Sequence, residues 1–167
     1  MTALPTNLIM DHQQIDNTIR RMAYQIYENN IDEQEIILAG IDKSGFTLSE
    51  KLCEELKRIS PITITSCNVS VNKRNPLDEV KVSIAQERYT NKSVILVDDV
   101  LNSGATLIYG IKFFLNVPLK KFQTAVLVDR SHKRFPVKAD YKGISLSTSL
   151  HETVKVTFDK VNKVVLK

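Results

Sequence analysis

Tryptophan is absent from this 167-residue sequence, and cysteine, histidine, glycine and proline are scarce, at two, three, five and five residues. The two cysteines, Cys53 and Cys67, lie far apart and form no CxxC pair. That rules against a disulfide framework and, with so few histidines, against a zinc cage. Two lone thiols read as small buried side chains in a reducing, cytoplasmic setting. Long apolar runs are missing too. The longest, Val94–Val97 and Ala125–Val128, are of strand length, against roughly 20 residues for a membrane span, so no membrane partner is expected. The start, MTALPTNLIMDHQQ, has no basic segment followed by an apolar one, so no secretory signal is expected. What is present is 43% hydrophobic and 25% charged, enough to build one ordinary core, and residues 1–167 read as a single domain.

The formal charge of +4 is unevenly spread. Residues 120–142 hold seven Lys or Arg against two Asp, which is more than the whole positive excess. Such a stretch suits a phosphorylated ligand, an RNA backbone or simply a solvated surface.

Hydrophobic spacing orders the chain. Ile15, Ile19, Met22, Ala23, Ile26 and Tyr27 predict an amphipathic helix over about residues 11–29, stopped by Asn29 and Asn30. Ile36–Ile41 reads as a buried strand. Leu48, Leu52, Leu56 and Ile59 mark a second helix opened by Ser44 and Gly45, and Ile62–Thr65 begin another strand. Residues 70–92 form a long polar excursion in which Val80, Val82 and Ile84 alternate as a short strand would. Ser93–Val97 is a strand, then Leu107, Ile108, Ile111, Phe114 and Leu115 form the stripe of a third helix. Thr124–Val128 is a further strand, and Val154, Val156 and Phe158 alternate in the tail. Strand–helix alternation of this kind implies an α/β fold with a central parallel sheet and right-handed crossovers.

The chemistry gathers in VILVDDVLNSGATL, residues 94–107. A buried strand ends in Asp98 and Asp99, at the edge where open α/β sheets bind ligands. Ser103, Gly104, Ala105 and Thr106 then open a helix, whose free N–H groups and positive dipole end suit a phosphate. Neighbouring side chains on a strand point to opposite sides, so the two acids are expected to do different jobs. A branched side chain at Gly104 is expected to block the cup with little change in melting temperature. Neither GxGxxG nor GxxxxGK[ST] occurs, which weakens dinucleotide and Walker-type readings.

This string resembles the signature by which type I phosphoribosyltransferases bind 5-phosphoribosyl-1-pyrophosphate (PRPP). AVLVDRSHKRFPVKADYKGISLSTS, residues 125–149, is similar to the matching stretch of the PyrR family, the pyrimidine operon regulators, and the likeness runs from RRMAYQIYENN at residue 20 to about residue 158. The resemblance implies a type I phosphoribosyltransferase fold: a central parallel sheet flanked by helices, a core of about residues 10–128 and a C-terminal hood of about 129–158. It implies transfer of a phosphoribosyl group from PRPP to a nucleobase, most plainly uracil to give UMP and pyrophosphate, with Mg²⁺. The alternatives are an RNA-binding regulator that senses UMP or PRPP, and a transferase for another base. A homo-oligomer, a dimer, is implied as well.

By the same resemblance Asp98 and Asp99 bind the ribose, and Asn102, Ser103, Gly104, Ala105 and Thr106 the 5′-phosphate. Asp42, Lys43, Ser44 and Gly45 form the pyrophosphate loop, with Lys43 joining the acids in catalysis. Lys73 and Arg74 stand in a flexible loop, where they either cover the pyrophosphate or are a solvated turn. Val128, Asp129 and Arg130 belong to the hood around the base, and Asp129 and Arg130 could equally pair with each other. His132, Lys133, Arg134 and Lys138 are candidate RNA contacts. The sequence departs from the PyrR pattern at Ser44 and Ala105, where Arg is common, at Asn102, where Tyr is usual, and at Tyr24 and Asn29, where RNA-binding relatives carry basic residues.

Overall fold

The computed structural model describes residues 7–167; residues 1–6, part of the start read above for a secretory signal, lie outside the described residues. In chain order the elements are β1 (Asn7–Met10), α1 (His12–Asn29), β2 (Glu35–Ile41), α2 (Asp42–Ile59), β3 (Thr63–Ser70), β4 (Lys81–Val82), α3 (Gln86–Tyr89), β5 (Ser93–Leu101), α4 (Ala105–Phe114), β6 (Lys121–Asp129), β7 (Tyr141–Ser145), β8 (Val154–Thr157) and β9 (Lys163–Leu166). Among the described residues no helix is long and apolar enough to cross a membrane.

Helix α1 is legible in its ends and its stripe. Asp11 caps α1 through a reciprocal pair: its Oδ1 accepts from Gln14 N at 2.8 Å while Gln14 Oε1 accepts from Asp11 N at 2.9 Å. Asn30 stops it by donating its side-chain amide to the Ile26 carbonyl at 2.7 Å. Ile15, Ile19, Met22, Ala23 and Ile26 are buried, as their spacing requires. In α4 the stripe is narrower than the spacing suggests. Leu107, Gly110 and Phe114 are buried, but Leu115 is 62% exposed because the helix ends at Phe114 and the chain turns away.

The six-stranded sheet runs β4-β3-β2-β5-β6-β7. Five strands are parallel, as expected of the central sheet, and the two-residue β4 is added antiparallel to β3 at one edge. Helices α1 and α2 cover one face, where Ile19, Leu48, Leu52 and Leu127 share a core. Helix α4 covers the other, where Phe114 is fully buried and meets the rings of Tyr89 and Phe122 edge-on at 5.1 and 5.7 Å. Truncating Phe114 to Ala would cost about 3–5 kcal/mol.

The expected hood of about residues 129–158 contributes strands to both sheets. Tyr141–Ser145 of the expected 129–158 unit is β7, the last strand of the main sheet. The Arg21 guanidinium donates to the Lys142 and Gly143 carbonyls of this strand, which ties α1 to β7. The small second sheet, β1-β9-β8, is antiparallel and draws on both ends of the described chain. β1 and β9 carry little periodic signal alone. Their apolar residues gain a partner only when the chain ends meet.

Candidate active site

The carboxyl end of β5 builds the site. The strand continues past Val97, pairing with β6 as far as Leu101 opposite Asp129, so both acids are strand residues. Alternation separates them: Asp98 is 3% exposed, while Asp99 is half-buried and lines the cavity. Asp98 lies beneath the first turn of α2, where a Cβ on Gly45 would stand 3.2 Å from Asp98 Oδ1. Asp98 Oδ1 accepts from Asp99 N at 2.8 Å and Asp99 Oδ1 from Val100 N at 2.9 Å. Among the described residues no cationic nitrogen lies within 4.0 Å of either carboxylate. Burial, and then the charge of Asp99, push the Asp98 carboxyl well above its usual range, with Lys73 opposing the shift.

After β5 the chain turns into a cup. Gly104 has φ +88°, the left-handed region, and stands just before α4. A Cβ there would also come within 2.6 Å of Val137 Cγ2, so substitution costs stability as well as access, against the expectation for a branched residue. The Ser103 carbonyl accepts from the backbone N–H of Arg134 at 2.8 Å and of Phe135 at 3.1 Å, which hangs the basic segment on the cup. Asp98, Asp99, Asn102, Ser103, Gly104, Ala105 and Thr106 surround a polar cavity of about 180 Å³, together with Lys73 and Val154.

Lys73 and Asp99 also line a second cavity of about 540 Å³, whose other walls are Asp42, Lys43, Ser44, Phe46 and Asn68. The two cavities are therefore neighbours across one acid and one lysine. Asp42–Gly45 is the first turn of α2 and not a free loop. Asp42 holds φ +46°, and the Asn68 side chain donates to its carbonyl at 3.2 Å. Phe46, Asn68 and Val154 are not marked by the sequence. Phe46 and Val154 read as ordinary core residues, and nothing local ties Asn68 to Asp42. Of the loop pair, Lys73 reaches the cavity and Arg74 lines neither part. The loop tip is tied by Asp78, which accepts from the side-chain amides of Asn72 at 2.6 Å and Asn75 at 2.7 Å.

The hood candidates divide. Val128 is fully buried in the core, and neither it nor Asp129 or Arg130 lines the cavity walls. Asp129 and Arg130 do not pair: Asp129 faces Lys133 at 3.6 Å. Arg130, 9% exposed, donates to Asn102 Oδ1 at 2.9 Å, to Thr148 Oγ1 at 2.9 and 3.1 Å, and to the carbonyls of Ser149 and Glu152. His132 Nε2 lies 2.6 Å from the Thr148 carbonyl oxygen, so this ring braces the hood. Lys133, Arg134 and Lys138 are exposed.

A carboxyl-end cleft with an acid pair, a left-handed glycine and two helix starts has the chemistry to suit a phosphorylated ligand. The family described as phosphoribosyl transferase domain matches residues 6–159. The protein named "Bifunctional protein PyrR" in Bacillus subtilis is 34% identical over 166 residues, covering 93% of this chain and 92% of its own. That of Thermoanaerobacter sp. is 33% identical over 171 residues, with 95% of each chain covered. Among solved structures, the hypoxanthine phosphoribosyl transferase of Trypanosoma cruzi aligns with a TM-score of 0.77 at 17% identity, over 96% of this chain and 91% of its own. A hypoxanthine-guanine phosphoribosyltransferase of Bacillus anthracis gives 0.68 at 23%, over 86% and 85%. At such identities these two speak for the fold alone. The chain belongs to the type I phosphoribosyltransferases, in the group that includes the PyrR proteins.

Proposed function

We propose that the protein transfers the phosphoribosyl group of PRPP to a nucleobase, uracil being the base that the likeness to the PyrR family implies, to give UMP and pyrophosphate. One observation carries this reading: Asp98 and Asp99 stand without a cation partner between the cup at Asn102–Thr106 and the strained turn at Asp42–Gly45. The cup suits the 5′-phosphate, the acid pair the ribose hydroxyls, and the α2 turn with Lys43 and Lys73 the pyrophosphate. An oxocarbenium-like centre needs no protein nucleophile, so positioning and charge neutralisation supply the acceleration. The chain's part is to hold the ribose against β5 while two lysines face the leaving group.

Mg²⁺ belongs to this reading. Among the described residues no group of three His, Cys, Asp or Glu could cage a metal. Hard carboxylate oxygens on Asp99 fit an ion that keeps most of its shell from PRPP and water. When bound it would neutralise charge on the departing pyrophosphate.

A second reading rests on Lys133, Arg134 and Lys138, exposed on a segment bonded to the Ser103 carbonyl. That arrangement suits an RNA contact surface attached to a nucleotide cup, as in a PyrR-like regulator. A base panel with PRPP and Mg²⁺, following pyrophosphate release, tests the main reading. Uracil should support release. Release with a purine only would move the assignment to another base, and none with any base would remove the transferase.

A further inference from the structure

Asp42 carries a strained backbone that a glycine would not. Its φ of +46° lies in the left-handed region, which a residue with a Cβ enters at a cost and glycine enters freely. Of the three non-glycine residues at positive φ among the described residues, only Asp42 lines the carboxyl-end site. A backbone of this kind persists only where its surroundings hold it. Ile41, just before it, makes no side-chain cap, so the first N–H groups of α2 are left without a capping partner.

The side chain that holds this turn is Asn68. The Asp42 carbonyl can only accept, so the Asn68 atom 3.2 Å from it is the amide nitrogen. No other side chain among the described residues bonds to the Asp42 backbone. Asn68 is itself fixed. Its N–H donates to Ser83 Oγ at 2.8 Å and its carbonyl accepts from Ser83 N at 2.9 Å, at the root of the β3–β4 hairpin. On the other side it stands opposite Gly40 in the β2–β3 register. The side chain lines the same cavity as Lys43, Ser44 and Lys73. A glycine at position 42 would make the tie unnecessary. The chain keeps both the strain and the amide that balances it, on the wall of the cavity.

We propose that Asn68 is a positioning residue: its amide holds the Asp42 peptide in the left-handed turn that aims the first N–H groups of α2 at the departing pyrophosphate. The inference rests on the phosphoribosyl-transfer reading of the site. No bond is made or broken at Asn68, which acts through the turn. Because its backbone is bonded to Ser83, the turn takes its place from the same hairpin that carries Lys73. The N–H groups and the lysine therefore face the leaving group from one support.

The test compares Asn68→Ala in the native background and in Asp42→Gly. Once the amide is gone, the strained turn becomes a minor state, and apparent affinity falls by the fraction that keeps it. Calorimetry with pyrophosphate and Mg²⁺ should therefore show a loss of roughly tenfold for Asn68→Ala. UMP affinity should stay within about twofold, because the cup for the 5′-phosphate is a separate element. In Asp42→Gly, where the turn carries little strain, adding Asn68→Ala should cost less than about twofold in pyrophosphate affinity. An equal loss in both backgrounds, or an equal loss for pyrophosphate and UMP, would mean that Asn68 only supports the fold, and would overturn the proposal. A second measurement needs no ligand. The backbone carbon shifts of Asp42, which differ between left- and right-handed φ, should leave the left-handed range in Asn68→Ala. Shifts that stay in place would overturn the proposal by themselves. Native protein that binds neither PRPP nor pyrophosphate would remove the transferase reading and the ligand proposed here with it, while the carbon shifts would still decide whether Asn68 holds the turn.

Discussion

The amino and carboxyl ends of the central sheet each carry a cavity of similar size lined by charged residues, about 490 Å³ against about 540 Å³. Their charges behave in opposite ways. At the amino end Glu33 meets Lys120 at 2.9 Å and Glu35 meets Lys92 at 3.1 Å, with Thr65 donating to Glu35 at 3.0 Å. The hydrogen bond from Lys120 holds the Glu33 carboxyl below its ordinary value, and for Glu35 the Lys92 and Thr65 bonds together outweigh the upward pull of burial. At the carboxyl end Asp98 is driven the other way by burial and by Asp99, and no described cation reaches either acid. A polar hollow whose charges satisfy one another is ordinary surface structure. One whose acids wait unpaired beside a strained turn is arranged for something that binds.

The largest effect should come from removing that tension. Asp98→Asn with Asp99→Asn should lower turnover by about 100-fold or more and reduce PRPP affinity, because both carboxylates belong to the proposed ribose site. The melting temperature should hold or rise, since the change removes a buried charge that nothing matches. Pyrophosphate release, calorimetry with PRPP and a thermal melt measure the three quantities. Undiminished PRPP affinity would remove the acids from the site and leave the two ends of the sheet alike.

Gly104→Ala comes next. The left-handed φ of +88° costs an L-residue about 1–2 kcal/mol, and the new Cβ meets Val137 as well. Stability should fall by at least that amount, and UMP affinity by roughly tenfold as the 5′-phosphate loses its close approach. Denaturant titration and calorimetry check the pair. A drop in stability with UMP binding unchanged would place the phosphate elsewhere.

That substitution also shows what could be read from the chain. The cup, the acid pair and the different burial of Asp98 and Asp99 follow from local order: an apolar strand, two acids, then small residues opening a helix. The clash with Val137 does not, because it joins residues 33 positions apart that only the fold brings together. The same holds for Arg130, whose neighbour Asp129 is the obvious partner by sequence and whose actual partners are Asn102 and Thr148. The small sheet escapes the sequence for a related reason: β1 and β9 have no periodic signal strong enough to mark them until they pair.

The basic segment offers a smaller effect. Lys133 and Lys138 are each near an acid, Asp129 at 3.6 Å and Asp140 at 3.7 Å, and among the described residues Arg134 pairs with none. Changing all three to Gln should weaken binding of a pyrimidine-operon leader RNA at every sequence tried. The salt slope should flatten by up to about 0.9 for each phosphate that is no longer neutralised, with Arg134 responsible for most of the change. PRPP affinity should change less than twofold, because Arg134 supports the cup through its backbone N–H and not its side chain. Filter binding across a salt series measures the first, calorimetry the second. Absence of RNA binding by the native protein at low salt, with and without UMP, would end the regulator reading.

The smallest effect should appear at the amino end, where the charges are already matched. Lys120 is 58% exposed while Glu33 is 10% exposed, so the pair is screened on one side and is worth at most about 1 kcal/mol. Lys120→Met should remove that much or less and leave turnover unchanged. The pH dependence follows from the direction of the Glu33 shift. A carboxyl held below its ordinary value of 4.5 adds stability above that pH, and the addition is lost as pH falls through the folded value. Native protein and Lys120→Met should therefore differ in urea midpoint at pH 7 and converge as pH falls through the folded Glu33 value, where the carboxyl becomes protonated in both. A tenfold drop in turnover in this variant would mean that the amino end also takes part in the reaction. The contrast between matched and unmatched charge would then no longer tell a site from a surface.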